Sequence, residues 1–345
     1  PDIWLLNTPA GTVDLHSGEL RPHRREDFCT KMTAVAPGGE CPIWLAFLKR
    51  VTGDNAELEA FLQRFIGYSL TGATHEHQLV FAHGVGGNGK GTFLNTVTGI
   101  MCDYAATAPM ETFTATGTER HPADLAMLRA ARLVAAQETE EGRRWAESRV
   151  KAVTGGDPIT ARFMRQDFFT FVPQFKLFVA GNHKPGLRGV DEAMRRRMNL
   201  VPFGVVISAN ERDPQLADKL KTEWRGILQW MIAGCLEWQR LGLQSPAIVR
   251  VATDEYLAGE DAIGTWLEEC CKTGSGYYTT TGELFKSWTA WAATAGEFVG
   301  SQKRFAQALL DRGFAPRRQG GTGRRGFDDI TVLRNEQESP DMWEH

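Results

Sequence analysis

Ten consecutive residues, Gly84-Val85-Gly86-Gly87-Asn88-Gly89-Lys90-Gly91-Thr92-Phe93, have the composition of a cradle for polyphosphate. Glycines let successive backbone N–H groups turn inward on an anion, and a lysine closing such a loop reaches the β- and γ-phosphates of a nucleotide. Gly84 and Gly89-Lys90 fit the G-x-x-x-x-G-K spacing. The fit breaks at one place. The hydroxyl that usually follows the lysine and binds Mg²⁺ is replaced by Gly91, and Thr92 is the nearest hydroxyl. A glycine-rich turn between a strand and a helix is the plain alternative.

Three further stations follow in order. Arg132 to Ala136 reads as a buried strand running into Gln137-Glu138-Thr139-Glu140. A carboxylate beyond a strand tip can hold Mg²⁺ through water or orient an attacking water. Glu138 is the choice and Glu140 the runner-up; two solvated loop glutamates are the alternative. Phe175 to Ala180 is another buried strand, ending in Gly181-Asn182. Its terminal amide could set water against a γ-phosphate, although Asn is also common in turns. Arg195-Arg196-Arg197 then precede apolar Met198 to Phe203. An arginine finger stabilises the charge of phosphoryl transfer, for about 10³–10⁵ in rate. A surface ion-pair cluster with Asp191 and Glu192 is the alternative.

Two stretches suit nucleic acid. Residues 154–171 alternate on both sides of the polar tip Arg165-Gln166-Asp167 and read as a β-hairpin. With Arg162, Met164, Arg165 and Gln166 near its tip, it could grip a single strand through phosphates and stacking, or be a structural hairpin only. From 303 to 325, Lys303, Arg304, Arg312, Arg317, Arg318, Arg324 and Arg325 stand against one acid, Asp311. Basic residues on a third helix and a Gly-rich wing suit a major groove and its phosphates. A solvated charged face is the alternative.

The elements that must position these residues follow from the apolar spacing. Residues 3–35 read as short strands and turns, followed by helices from Pro42 and after Gly53-Asp54. Residues 77–203 alternate strands (78–82, 132–136, 175–180) with helices, which predicts an α/β core with a parallel sheet and a site at its strand ends. One long helix is expected from 213 to 240, a connection over 245–260, and helices at 261–271, 281–295 and 301–312 before a strand–turn–strand. That last pattern predicts a winged helix. The division expected is 1–75, 76–245, 246–335 and an acidic, disordered tail, 336–345.

A chain of 345 residues with net charge −3 has ample core, and any nucleic-acid surface must be a local patch. Six cysteines without a C-x-x-C pair argue for free thiols in a reducing cytoplasm, and eight histidines lack zinc spacing. No membrane-spanning run or signal peptide is visible. A start on Pro1 without methionine suggests a piece of a longer protein.

The order Gly-Val-Gly-Gly-Asn-Gly-Lys-Gly-Thr-Phe, Gln-Glu-Thr-Glu-Glu-Gly, Lys151-Ala-Val-Thr-Gly-Gly-Asp-Pro, Ala-Gly-Asn-His-Lys-Pro and Arg-Arg-Met-Asn-Leu-Val-Pro-Phe resembles the phage and plasmid primase-helicases. These are superfamily III helicases, with the poxvirus primase-helicase among their relatives. Leu5-Leu6-Asn7, Gly11, Asp14-Leu15, Cys41-Pro42-Ile43-Trp44 and Gly67-Tyr68 look like the domain that precedes the helicase in that family. The resemblance implies an AAA+-like P-loop ATPase core with an N-terminal mixed and helical module and a C-terminal winged helix. It implies a ring, usually a homohexamer, that hydrolyses ATP with Mg²⁺ between subunits and moves 3′ to 5′ on single-stranded or forked DNA in a bacterial host. Lys90 then matches the loop lysine, Glu138 the second-motif acid, Asn182 the sensor, and Thr92 with Glu138 the metal side. Arg196 and Arg197 match paired arginines, Arg197 being favoured to act in trans. Lys151 and Arg162 would contact ATP or DNA, and a primase normally lies upstream. The competing readings are an ATP-switched replication initiator, an RNA-directed helicase of the same superfamily, and a P-loop kinase.

Overall fold

The computed structural model describes residues 2–115, 123–138, 143–187, 192–318 and 324–333, which form two compact units. Glu140, Asp191 and the acidic tail lie outside the described residues. The first unit holds residues 1–187 and 192–256, and the second 188–191 and 257–345.

The first unit is mixed α/β around a parallel sheet. It opens on the antiparallel strands β1 (Leu5–Thr8), β2 (Gly11–Asp14) and β3 (Glu19–Arg21), then α1 (Pro42–Thr52) and α2 (Ala56–Ser69). Pro42 pre-sets the first turn of α1, which has no side-chain cap of its own. The Glu223 carboxylate, 179–180 residues on, accepts the orphan N–H groups of Ile43 (3.0 Å) and Trp44 (2.9 Å) instead. Asn55 caps α2 by accepting from Leu58 N.

β4 (Leu79–His83), α3 (Lys90–Met101), β5 (Ala105–Pro109), α4 (Ala123–Ala126), β6 (Leu133–Glu138) and α5 (Glu147–Gly155) follow. Then come β7 (Ile159–Ala161), β8 (Phe169–Phe171), β9 (Lys176–Gly181), α6 (Glu192–Arg195) and β10 (Met198–Pro202). The five strands β10–β4–β9–β6–β5 form one sheet with every pair parallel, and β7–β8 is a separate hairpin. Both faces of a parallel sheet must be covered, which is why β9 is buried at all six positions. One aromatic stack ties the cover together. Trp44 meets Phe93 at 5.4 Å, Phe93 meets Phe178 at 5.6 Å, and Phe65 packs edge-on against Phe178. The N-terminal elements therefore share one hydrophobic core with the sheet.

The expected helix over 213–240 is two helices, α7 (Leu216–Thr222) and α8 (Trp224–Leu241), separated at Glu223. The break turns that carboxylate onto α1. Residues 247–259, expected as a connection, form α9 (Ala247–Gly259), and the chain leaves the first unit within it. Gly67 and Gly234 bring α2 and α8 into backbone contact. A Cβ on Gly67 would stand 2.1 Å from the Cys235 nitrogen, and one on Gly234 2.2 Å from the Gln63 carbonyl oxygen.

The second unit orders α10 (Ala262–Cys270), β11 (Cys271–Thr280), α11 (Thr281–Ala295), α12 (Gln302–Asp311), β12 (Pro316–Arg318) and β13 (Arg325–Val332). Its antiparallel sheet runs β11–β13–β12 over a core of Trp266, Leu284, Trp288, Phe305, Leu309 and Ile330. Sequence spacing finds the three helices but misses β11, whose pairing lapses between Thr273 and Tyr278 across Gly274-Ser275-Gly276.

Candidate functional site

The carboxyl ends of β4, β9 and β6 lie side by side, and each runs into one of the polar stations read from the sequence. Ligands of open parallel sheets bind along this edge. β4 ends at His83 and turns through the glycine loop into α3, whose first residue is Lys90. Gly87 (φ +80°) and Gly89 (φ +85°) hold left-handed backbone, where a side chain would be strained. The loop is also crowded from behind. A Cβ on Gly84 would stand 2.2 Å from the Phe203 carbonyl oxygen, and one on Gly89 2.5 Å from Val51 Cγ1 of α1. Gly86 and Gly91 face open space.

Lys90 is only 7% exposed, and its ammonium donates to the Gly84 carbonyl, to Asn88 Oδ1 (3.1 Å) and to Asn182 Oδ1 (3.2 Å). Asn88 is itself fixed by donating to the Phe203 carbonyl at 2.9 Å. Among the described residues, the partners of the ammonium are three neutral oxygens. Burial lowers the Lys90 pKa, and burial together with the charge of Lys184 lowers that of His83. Asn182, exposed just past β9, is thereby brought onto the loop lysine 92 residues upstream in sequence.

The remaining predicted residues fall in different places. Glu138 is the last residue of β6, with its backbone paired to Gly181. Thr92 is half-buried on the first turn of α3, and Val85 is exposed at the loop tip. Phe93 is fully buried in the aromatic stack, so it supports the loop from beneath and offers a ligand no side chain. The paired arginines separate. Arg197 is 7% exposed, with Nε on Thr154 Oγ1 (3.1 Å) and a terminal nitrogen on the Ala193 carbonyl (2.7 Å). Arg196 points to solvent, and Arg195 pairs with Asp254 at 3.1 Å.

The hairpin forms with Ile159 opposite Phe171 and Ala161 opposite Phe169. Its connection, 162–168, exposes Met164 (71%) and Phe168 (60%), and the Arg162 guanidinium lies over the Phe168 ring at 4.8 Å. Arg165 and Gln166 are exposed, Arg165 with φ +61°. Lys151 is half-buried on α5, which also takes in Thr154 and Gly155, so the hairpin proper begins later than the alternation suggests.

In the second unit, Lys303 and Arg304 are exposed on α12, Arg317 and Arg318 on β12, and Arg324 and Arg325 where β13 begins. Arg317 pairs with Asp328 at 3.0 Å and lies over the Tyr278 ring. Arg312 is taken up by Asp261. An open groove of 860 Å³ runs between the start of α11, α12 and β13, with Lys286, Lys303, Arg324 and Arg325 along it. Thr280 and Glu283 close the N-terminus of α11 as a capping box, so basic side chains rather than helix amides set the charge there.

Comparison with known proteins finds distant relatives. Residues 1–53 match a family described as "D5 N terminal like", and 82–197 match a "Family of unknown function (DUF5906)". "Putative helicase L207/L206" of Acanthamoeba polyphaga mimivirus is 23% identical over 317 residues, 84% of this chain and 33% of that protein. "Putative helicase 022R" of Frog virus 3 (isolate Goorha) is 23% identical over 311 residues, 84% of this chain and 31% of that protein. The chain thus spans about a third of the length of these relatives. A solved structure of the NrS-1 C-terminal region (305–718) has a similar fold, with TM-score 0.50 and 12% identity over 82% of this chain and 66% of that one.

Proposed function

We propose, for a chain that belongs with the C-terminal regions of phage and viral primase-helicases, that it is an ATP-driven DNA helicase module. The observation that carries this is the Lys90 ammonium, buried in a glycine loop at the carboxyl edge of a parallel sheet and held, among the described residues, by neutral oxygens. An anionic phosphate supplies the charge that those partners lack. ATP would sit on 84–92, with the loop amides and Lys90 on its phosphates. Asn182, already bonded to Lys90, would exchange that bond for the γ-phosphate or its attacking water.

Mg²⁺, when bound, would neutralise phosphate charge. Thr92 and Glu138 would hold it alongside the nucleotide, as a site of one or two protein ligands requires. Among the described residues no group of three or more His, Cys, Asp or Glu side chains could hold a metal without the nucleotide.

A second subunit would complete the site. Arg196 is the better candidate for the arginine acting in trans, because Arg197 is committed inside its own subunit. This supports a ring, with a homohexamer as the expected form and an upstream primase as the expected partner domain. The exposed hairpin tip, Arg162 with Met164, Arg165, Gln166 and Phe168, would carry single-stranded DNA, moved 3′ to 5′. The second unit, read as a winged helix, would hold duplex through Lys303, Arg304, Arg317, Arg318, Arg324 and Arg325.

The test is forked-DNA unwinding and DNA-stimulated ATP hydrolysis by the purified protein and by Lys90→Ala. The wild type should unwind, and the variant should lose hydrolysis by at least about 100-fold. ATP binding and DNA binding without unwinding would indicate a switched initiator instead. Stronger stimulation by RNA than by DNA would make it an RNA-directed enzyme.

A further inference from the structure

Beyond Phe203, the strap between β10 and α7 lies on the glycine loop. Ile207 donates its backbone N–H to the Gly87 carbonyl at 3.0 Å. Arg212 then folds back, its Nε donating to the Ile207 carbonyl at 3.1 Å. A Cβ on Gly87 would stand 2.3 Å from one terminal guanidinium nitrogen of Arg212, so the guanidinium rests against the Gly87 backbone. The neighbouring acid does not neutralise it. Glu211 accepts from Ser208 Oγ (2.7 Å) and from Arg50 of α1 (3.2 Å), which fixes the strap to α1 from its other side. Among the described residues the terminal nitrogens of Arg212 have no hydrogen-bond partner, and the side chain is exposed.

We infer that Arg212 binds the polyphosphate of a nucleotide held on the glycine loop of its own subunit, as a second cation beside Lys90. The inference rests on the nucleotide-binding reading of that loop. Gly87 lies in the middle of the turn whose amides would face the phosphates, and the Arg212 guanidinium stands against that glycine. The planar fork of arginine suits two such oxygens at once, and a lysine supplies only a point charge. The strap would thus let α1, through Arg50 and Glu211, set where that cation stands.

Calorimetric titration of the full chain with a non-hydrolysable ATP analogue, ADP and adenosine tests this in Arg212→Ala, Arg212→Lys and Lys90→Ala. Arg212→Ala should weaken the analogue and ADP about tenfold or more, the size of one charge-assisted hydrogen bond, and leave adenosine unchanged. Arg212→Lys should recover part of the loss, and both variants should melt with the wild type in the absence of nucleotide. Wild-type affinities in Arg212→Ala, with binding lost in Lys90→Ala, would overturn the inference and leave the nucleotide site standing. A lower melting point in Arg212→Ala with equal loss for adenosine would make Arg212 a latch on the loop and also overturn it. Undiminished binding in Lys90→Ala would remove the nucleotide reading itself.

Discussion

Lys90, Asn182 and the loop glycines meet at one edge of the parallel sheet, and their chemistry is written in residue type: a flexible anion cradle, a cation and an amide at strand ends. What residue type does not encode is burial. Arg196 and Arg197 are identical in sequence terms, and only the fold separates them, one in solvent and the other bonded to Thr154 and Ala193. Phe93 likewise read as part of the binding loop and lies in the core. Arg212 gave no signal at all, since nothing in its spacing ties it to a loop 125 positions earlier. Gly91 is the residue where structure and pattern can be played against each other. A Cβ there meets nothing within 4 Å, so a hydroxyl can be installed without displacing a neighbour. Gly91→Ser should fold with unchanged melting temperature or slightly better, because serine favours a helix over glycine by a few tenths of a kcal/mol or so. It should also lower the Mg²⁺ concentration that half-saturates ATP hydrolysis. An unchanged Mg²⁺ titration would assign the metal-side hydroxyl to Thr92.

At the level of elements, the strands and helices with strong periodicity were legible, and those defined by long-range partners were not. The division between α7 and α8 is set by Glu223 serving α1, a contact across the sequence that no local pattern announces. The α2–α8 pair shows the same dependence. Gly67→Ala would push a methyl into the Cys235 backbone, and overpacking of this kind costs about 1–3 kcal/mol. Thermal unfolding should then fall by about 2–12 °C, at roughly 2–4 °C per kcal/mol for a unit of this size. An unshifted transition would mean the two helices separate at no cost. The opposite edge of the sheet holds two buried cations, Arg132 over the Tyr104 ring and Lys176 over that of Tyr68. Arg132 donates to the carbonyls of Leu70 and Leu5, and Lys176 to those of Thr71, Ala73 and Gln174, which satisfies backbone groups just after α2. Burial and the charge of Arg132 lower the Lys176 pKa well below its ordinary value. Between that lowered native pKa and about 10.4 the unfolded chain holds more of this proton than the native state, so this group's contribution to stability rises with pH toward about 10.4 and is lost as pH falls through the native pKa. The buried Cys235 thiol, pushed up to about 12, acts in the opposite sense. The difference in urea midpoint between the wild type and Lys176→Met isolates the lysine, and it should shift in favour of the wild type from pH 7 to pH 10. A pH-independent difference would mean Lys176 stays charged throughout.

Across the whole molecule, the proposed motor would need more than one subunit to complete a catalytic site. Each subunit's own strand edge supplies Lys90 and Asn182, and its exposed Arg196 precedes β10, at the end of that strand away from the loop. Head-to-tail packing that closes into a ring would deliver each Arg196 to the next loop. Two defective chains should therefore repair each other. A Lys90→Ala subunit keeps a working arginine with a dead pocket, and an Arg196→Ala subunit keeps a working pocket with no arginine to donate. Each variant alone should hydrolyse ATP slowly, Arg196→Ala by about 10³-fold or more while still binding nucleotide. Mixed in equal amounts and allowed to exchange, about a quarter of interfaces in a closed head-to-tail ring would pair the sound pocket with the sound arginine. Hydrolysis should then rise well above that of either parent, and Arg197→Ala, whose side chain is used inside its own subunit, should give no such recovery with Lys90→Ala if its fault is structural. A mixture no faster than the sum of its parents would refute Arg196 as the donated arginine.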